Sequence, residues 1–193
     1  MKIFSSASSV IGEVKQSPVD EEHPCIPKTP YGAAKLACEN YLHVFHEIYG
    51  INYLIFRFFN IYGPYQVNGI IPNTITSIKT GSPVEITGGG SQTRDFVFIE
   101  DFIPILEKTI KNQIKNTIVN FSTGYGTSII EVIKLIGKVL GLEPKISWQP
   151  ASKGEISNFV ADTKKLKNLL GKVPTTSLEE GLQKTIEYMQ TLK

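Results

Sequence analysis

The chain has 193 residues and a formal net charge of +2, with 41% apolar and 20% charged residues. That is enough for one ordinary domain or two small ones with a real core, and the charge balance excludes polyelectrolyte binding as the main business. No apolar run reaches the roughly 18 residues that span a bilayer, so neither nucleic acid nor membrane is an expected partner.

Met1–Phe4 leads into Ser5-Ser6-Ala7-Ser8-Ser9, a short apolar strand ending in a serine-rich turn, and residues 13–29 read as a polar, proline-containing loop. Thr29-Pro30 marks a helix start, threonine as N-cap and proline in the first turn. Leu36, Leu42, Phe45 and Ile48 supply an amphipathic face, and Gly50 the stop. The dense apolar run Ile51–Phe59 predicts a strand buried on both faces, as in a parallel sheet, ending in the turn Asn60-Ile61-Tyr62-Gly63-Pro64. A short helix is expected over 72–80, a strand over 84–87, a triple-glycine turn at 88–90 and a strand from Arg94 to Ile99. The glycines precede a strand rather than a helix, so they are no phosphate cradle. Asp101 is expected to cap a helix running to about Asn112, and Thr117–Phe121 to be a strand. Ser128 and Glu131 form a capping-box pattern ahead of Ile129, Ile133, Ile136 and Leu140, and Ser177 and Glu180 form a second before Leu182, Ile186 and Met189. Strands are expected over 145–149 and 157–161. Lys164, Lys165 and Lys167 alternate with Leu166, Leu169 and Leu170, the pattern of a solvated helix face. This alternation of strands and helices is an α/β pattern.

Cys25 and Cys38 cannot make a disulfide framework and point to a reducing compartment. The N-terminus lacks the apolar core of a signal peptide, so the expected location is cytoplasmic. His43 and His46 lack a third ligand nearby, and no metal site is expected.

Tyr31 and Lys35 stand four apart near a helix start and share one face. A tyrosine is a poor base at neutral pH, but a neighbouring ammonium and a helix N-terminus both favour the phenolate. Such a pair suits a tyrosine that takes and returns a hydroxyl proton. The same spacing also occurs as a plain surface pair. Order and company decide between them: the serine turn before Tyr31, then Arg57-x-x-Asn60-x-Tyr62-Gly63-Pro64, Gly90-Ser91-Gln92-Thr93-Arg94-Asp95-Phe96, and Lys153-Gly154-Glu155 ahead of Ala161-Asp162. Taken together, this series resembles the extended short-chain dehydrogenases/reductases, in the NAD-dependent nucleotide-sugar epimerase/dehydratase branch, over essentially the whole chain.

The resemblance implies the C-terminal part of a Rossmann-type doubly wound parallel sheet plus a small α/β substrate-binding domain. Residues 1–65 would be the remnant of the NAD-binding domain and 66–193 the substrate-binding region, with a segment near 94–121 returning to the first sheet. It implies Tyr31 as acid/base on the sugar C4 hydroxyl, and Lys35 as the residue that tunes it and bonds the nicotinamide ribose. Phe58 and Phe59 would lie against the nicotinamide, Asn60 would touch the substrate, and Arg94 would hold its nucleotide part. The plainer readings are turn formation for Asn60 and a local salt bridge for Arg94 with Asp95. A homodimer through the 30–49 helix is also implied.

Two departures stand out. Only 30 residues precede Tyr31, and none carries the glycine fingerprint that grips the cofactor in this family. The sequence is therefore expected to lack the first strands of the sheet and to bind NAD weakly or not at all by itself, with Ile3–Ser6 on an open edge. Second, Ala7 occupies the place of the family's catalytic serine or threonine and Ile11 that of its tyrosine, leaving Ser8 as a catalytic and Ser6 as a substrate-binding candidate, or both as turn caps. The serine turn offers no carboxyl group for dehydration, and Ser152 replaces a diphosphate-binding arginine, with Lys153 beside it. The expected activity is NAD-dependent epimerisation at C4 of a nucleotide sugar through a 4-keto intermediate. The alternatives are a nucleotide-sugar reductase, or a truncated, split or degenerate chain without catalysis.

Overall fold

The apolar run after Gly50 forms the central strand of a parallel sheet. The computed structural model describes residues 1–150 and 158–191, so Ser152 and the Lys153-Gly154-Glu155 motif lie outside the described residues. Strand β1 (Lys2–Ala7) is followed by a 3-10 turn over Ser8–Val10, and helix α1 (Pro30–Tyr49) returns the chain to β2 (Tyr53–Phe58). Every residue of β2 except Phe58 is buried, as the dense apolar run requires. β3 (Asn60–Tyr62), α2 (Ile70–Thr80), β4 (Val84–Thr87), β5 (Thr93–Arg94), β6 (Phe96–Phe98) and α3 (Phe102–Lys111) follow. The chain then forms β7 (Thr117–Phe121), β8 (Thr127–Ser128), α4 (Ile129–Leu140), β9 (Ile146–Gln149), β10 (Asn158–Phe159), α5 (Lys164–Leu170) and α6 (Leu178–Thr191).

Among the described residues the main sheet has the order β1-β2-β7, all parallel. Its register sets Ser6 opposite Arg57 and Ala7 opposite Phe58, with Phe58 opposite Phe121 on the other side. Smaller ladders join β3 to β6 and β4 to β9 in parallel, while β5 lies between parallel β10 and antiparallel β8. One core packs α2, α4 and α6 on β4 and β6 through Ile75, Ile133, Ile136, Ile86, Phe98 and Leu182. A second closes the main sheet with α3 and α5, where Phe56, Phe58, Phe102 and Phe121 form an edge-to-face cluster.

Local signals placed most helix ends. Thr29 Oγ1 accepts from Gly32 N at 3.0 Å, Gly50 closes α1 in the left-handed conformation, and the Ser128/Glu131 capping box is complete. Five expectations change. Helix α2 begins at Ile70 rather than 72, and of the strand expected over 157–161, whose first position lies outside the described residues, the structure shows Asn158–Phe159, with Ala161 bridged to Val19. The strand expected from Arg94 to Ile99 is split: Asp95 separates β5 from β6, which join different sheets, and Ile99 opens a 3-10 turn. Asp101 does not cap α3, because its own backbone is already helical; its carboxylate instead accepts from Thr176 N and Oγ1 at 3.1 and 2.8 Å. In α1, Leu36 and Leu42 are half-buried, but Phe45 and Ile48 are 43% and 64% exposed. The buried residues of that helix are Gly32 and Glu39. Apolar periodicity thus marked a face that this chain leaves open to solvent.

Candidate active site

The strand ends and the first turns of α1 meet around the serine turn. Gly12 adopts φ +68°, and a side chain there would strike the Ile26 carbonyl oxygen at 1.8 Å, so glycine is needed to close the turn onto the 13–29 loop. On the helix side, a Cβ on Gly32 would stand 2.4 Å from the Ser9 carbonyl oxygen. The second of these close approaches docks the N-terminus of α1 onto the turn that follows β1.

Tyr31 is 58% exposed beside this contact. Lys35 lies one turn further, its Nζ donating to the Ser5 carbonyl oxygen at 2.7 Å and standing 5.6 Å from the Tyr31 ring centre and 5.0 Å from that of Phe4. One of its three N–H donors is thereby tied to β1, which holds the ammonium beside the phenol ring. The helical spacing has set the Lys35 ammonium beside the Tyr31 ring.

A cleft of about 740 Å³ opens along β1, β3 and α3. Its lining includes Ser6, Ala7, Phe58, Phe59, Asn60 and Phe102. The cofactor candidates Phe58 and Phe59 and the substrate candidate Asn60 therefore share one opening with the end of β1. Tyr31, Lys35, Ser8 and Arg94 are not among its lining residues.

Each serine is placed differently. Ser8 is buried at the start of the 3-10 turn, where its carbonyl accepts from Ile11 N. Ser6 is 2% exposed, and its hydroxyl donates to Glu39 Oε1 at 2.5 Å. Its side chain is thus committed to a helix carboxylate under the sheet. Ala7, at the position expected of a catalytic hydroxyl, offers a methyl group.

Asn60 is held by its backbone, Asn60 N donating to Asp95 O at 2.9 Å, and Arg94 Nη1 donates to Thr93 O at 2.8 Å. Between them Asp95 is fully buried. Its carboxylate accepts from Thr123 N and Oγ1, Gly124 N and Ala161 N at 2.7–3.5 Å. Burial pushes its carboxyl above the ordinary value, while these four hydrogen bonds pull the other way. One buried carboxylate thus ties the Asn60 and Arg94 strands to the loops after β7 and β10. Sequence reading missed it, considering Asp95 only as a salt-bridge partner; an acidic residue between two apolar-strand fragments was the available signal.

A second missed pair is Arg57 with Glu39, side chains 4% and 3% exposed. Arg57 Nε and Nη2 donate to the Glu39 carboxylate at 2.8–3.3 Å, and Nη1 donates to Glu21 O at 3.1 Å. Burial opposes the Arg57 charge, but the bonds and attraction to Glu39 more than offset it and hold the guanidinium above its ordinary value.

The cleft lining, which includes Ala7, Phe58, Phe59 and Asn60, is predominantly apolar and compatible with the nicotinamide end of a dinucleotide. It does not fit the pyrophosphate end, since among the described residues no glycine-rich loop leads into a helix at this cleft. Among the described residues no group of three or more His, Cys, Asp and Glu can hold a metal ion, and no helix is long and apolar enough to cross a membrane.

Residues 2–121 match the model of the NAD dependent epimerase/dehydratase family. The UDP-glucose 4-epimerase of Mycolicibacterium smegmatis is 29% identical over 190 residues, covering 96% of this chain and 61% of that protein. Among solved structures, the Thermotoga maritima UDP-glucose 4-epimerase with UDP-glucose superposes with a TM-score of 0.91 at 34% identity, over 100% of this chain and 64% of that one. The Bacillus cereus UDP-glucuronic acid 4-epimerase in complex with UDP-glucuronic acid and NAD gives 0.92 at 34%, over 100% and 62%. The chain spans about three fifths of the length of the curated relatives it matches. With a parallel main sheet, a Tyr31/Lys35 helix docked on its serine turn, and this likeness along its whole length, the chain belongs to the NAD-dependent epimerase/dehydratase family.

Proposed function

We propose that this chain provides the acid/base and substrate side of an NAD-dependent 4-epimerase acting on a nucleotide sugar. The observation that carries the reading is the Tyr31/Lys35 pair, held on one helix face with Lys35 anchored to the Ser5 carbonyl. Tyr31 Oη takes the proton from the sugar C4 hydroxyl as C4 becomes a ketone and returns it once the opposite face is presented. Lys35 stays beside the phenol ring throughout, anchored on the Ser5 carbonyl. NAD, when bound, supplies the acceptor and donor of the C4 hydride. Phe58 and Phe59 form the apolar wall against the nicotinamide, Asn60 contacts the sugar, and Arg94 faces the nucleotide part. Ser8 is the hydroxyl retained in the turn, while Ser6 stays with Glu39. Residues 1–65 form the cofactor side and 66–193 the substrate side, with β7 returning to the first sheet. The serine turn favours epimerisation over dehydration, which calls for a carboxyl group there. The reading also includes a homodimer through α1, whose exposed Tyr41, Val44, Phe45, Ile48 and Tyr49 form an apolar stripe.

The test is interconversion of UDP-glucose and UDP-galactose, and of the corresponding glucuronic acid pair, by the product of the complete gene with NAD present. Turnover is expected, with Tyr31→Phe lowering kcat by about a hundredfold or more. Unchanged kcat in that variant would remove Tyr31 from its role. A second reading rests on Ala7: with a methyl group in the cleft and the Ser6 hydroxyl engaged, the site lacks one expected proton donor. On that reading the protein binds UDP-sugars without turning them over, the outcome that would favour a non-catalytic member.

A further inference from the structure

We propose that the buried Glu39–Arg57–Ser6 network is a positioning device that sets the register of α1 on β1 and β2, and thereby places Tyr31 and Lys35. The proposal rests on the catalytic reading of those two residues. Tyr31, Lys35 and Glu39 follow one another at intervals of four and lie along one ridge of α1. The ridge meets the strands at three successive levels. Gly32 abuts the Ser9 carbonyl beside Tyr31, Lys35 bonds the Ser5 carbonyl, and Glu39 bonds the Ser6 hydroxyl and the Arg57 guanidinium.

Ser6 and Arg57 are direct partners across the β1–β2 ladder. One carboxylate thus reads the position of the helix against two adjacent strands at once. Arg57 carries the same constraint to the 13–29 loop through the Glu21 carbonyl. Glu39 and Gly32 are the buried residues of this helix, whose Tyr41, Val44, Phe45, Ile48 and Tyr49 are exposed. Apolar contact is non-directional, whereas a guanidinium–carboxylate fork holds both distance and angle. A buried ion pair is also a poor way to gain stability alone, since apolar residues of similar volume serve as well or better. The network therefore contributes directional placement. Slippage by a single helical turn would carry Tyr31 about 5.4 Å along β1, and a displacement of about 1 Å is enough to cost about a hundredfold in rate.

The test compares Glu39→Gln, Arg57→Lys and the double variant Glu39→Leu/Arg57→Met with the wild type in the complete gene product. Residue-resolved amide hydrogen exchange and steady-state kinetics are measured on each. The double variant removes both charges and is expected to keep the wild-type urea midpoint. It should nevertheless exchange about tenfold faster at residues 31–38 while Leu54–Phe56 and α4 stay protected, and its kcat should fall at least about tenfold with KM within about twofold. Arg57→Lys, which keeps the charge and loses the fork, should fall in between. Recovery of both wild-type exchange and wild-type kcat in the double variant would overturn the proposal, as would exchange raised evenly over the whole molecule in Glu39→Gln. If the wild type shows no turnover, the catalytic reading fails, while the exchange pattern still decides whether the network sets the register.

Discussion

A methyl group on Gly32 would meet the Ser9 carbonyl oxygen at 2.4 Å and the Pro27 side chain at 3.0 Å. In an open helix Gly→Ala stabilises by about 1 kcal/mol. Here the neighbour is backbone, which cannot swing aside, so overpacking wins. Gly32→Ala is expected to destabilise by about 1–3 kcal/mol, read as a lower urea midpoint; a higher midpoint would show that α1 is not docked as described. Asp95 supports the opposite rim through its four bonds to Thr123, Gly124 and Ala161. Asp95→Asn turns an acceptor oxygen into a donor facing other donors and should cost about 1–3 kcal/mol. Its pH dependence has a definite sign. Because burial raises the folded carboxyl above its ordinary 3.8, the stabilisation is fully present below about pH 4 and is lost as pH rises through the folded value. The gap between wild type and Asp95→Asn in urea titrations should therefore be widest in acid and narrow toward neutrality.

At the scale of elements, helix α4 depends on the capping box at its start. Ser128 Oγ accepts from Glu131 N, and Glu131 Oε2 accepts from Ser128 N and Oγ. Ser128→Ala should cost about 1 kcal/mol. The side-chain and backbone bonds from Ser128 hold the Glu131 carboxyl below its ordinary 4.5. A depressed carboxyl stabilises above its unfolded value and loses that contribution as pH falls through the folded one. The deficit of Ser128→Ala should accordingly be full at pH 7 and shrink below about pH 4; a deficit independent of pH would deny Glu131 its part in the cap. This helix was legible in the sequence because cap, apolar period and glycine stop are all local. The β5–β6 break was not, because Asp95 is fixed by partners 28, 29 and 66 positions away. Asp101 misled for a related reason: its spacing fits a cap, but Thr176 is its partner in space.

At the scale of the whole chain, the described residues leave open the outer edge of β1, the cleft beside it and the apolar stripe on α1. An unpaired strand edge next to apolar surface favours association. The polypeptide of these 193 residues is expected to associate at micromolar concentration, and Ile48→Glu to shift sedimentation toward smaller species by charging the α1 stripe. A monomer unaffected by that change would count against α1 as the contact. The family was readable as a resemblance carried by several motifs in order; the α/β class, most helix ends and the Tyr31/Lys35 spacing were readable because helical spacing and caps act over a few residues. Tertiary structure alone decided which serine hydroxyl is engaged, that the buried face of α1 is Gly32 and Glu39 rather than its apolar stripe, and that Asp95 and Arg57 hold the surrounding elements. Those outcomes depend on strand register and on partners far apart in the chain, and no local pattern records which groups will share a buried hydrogen bond.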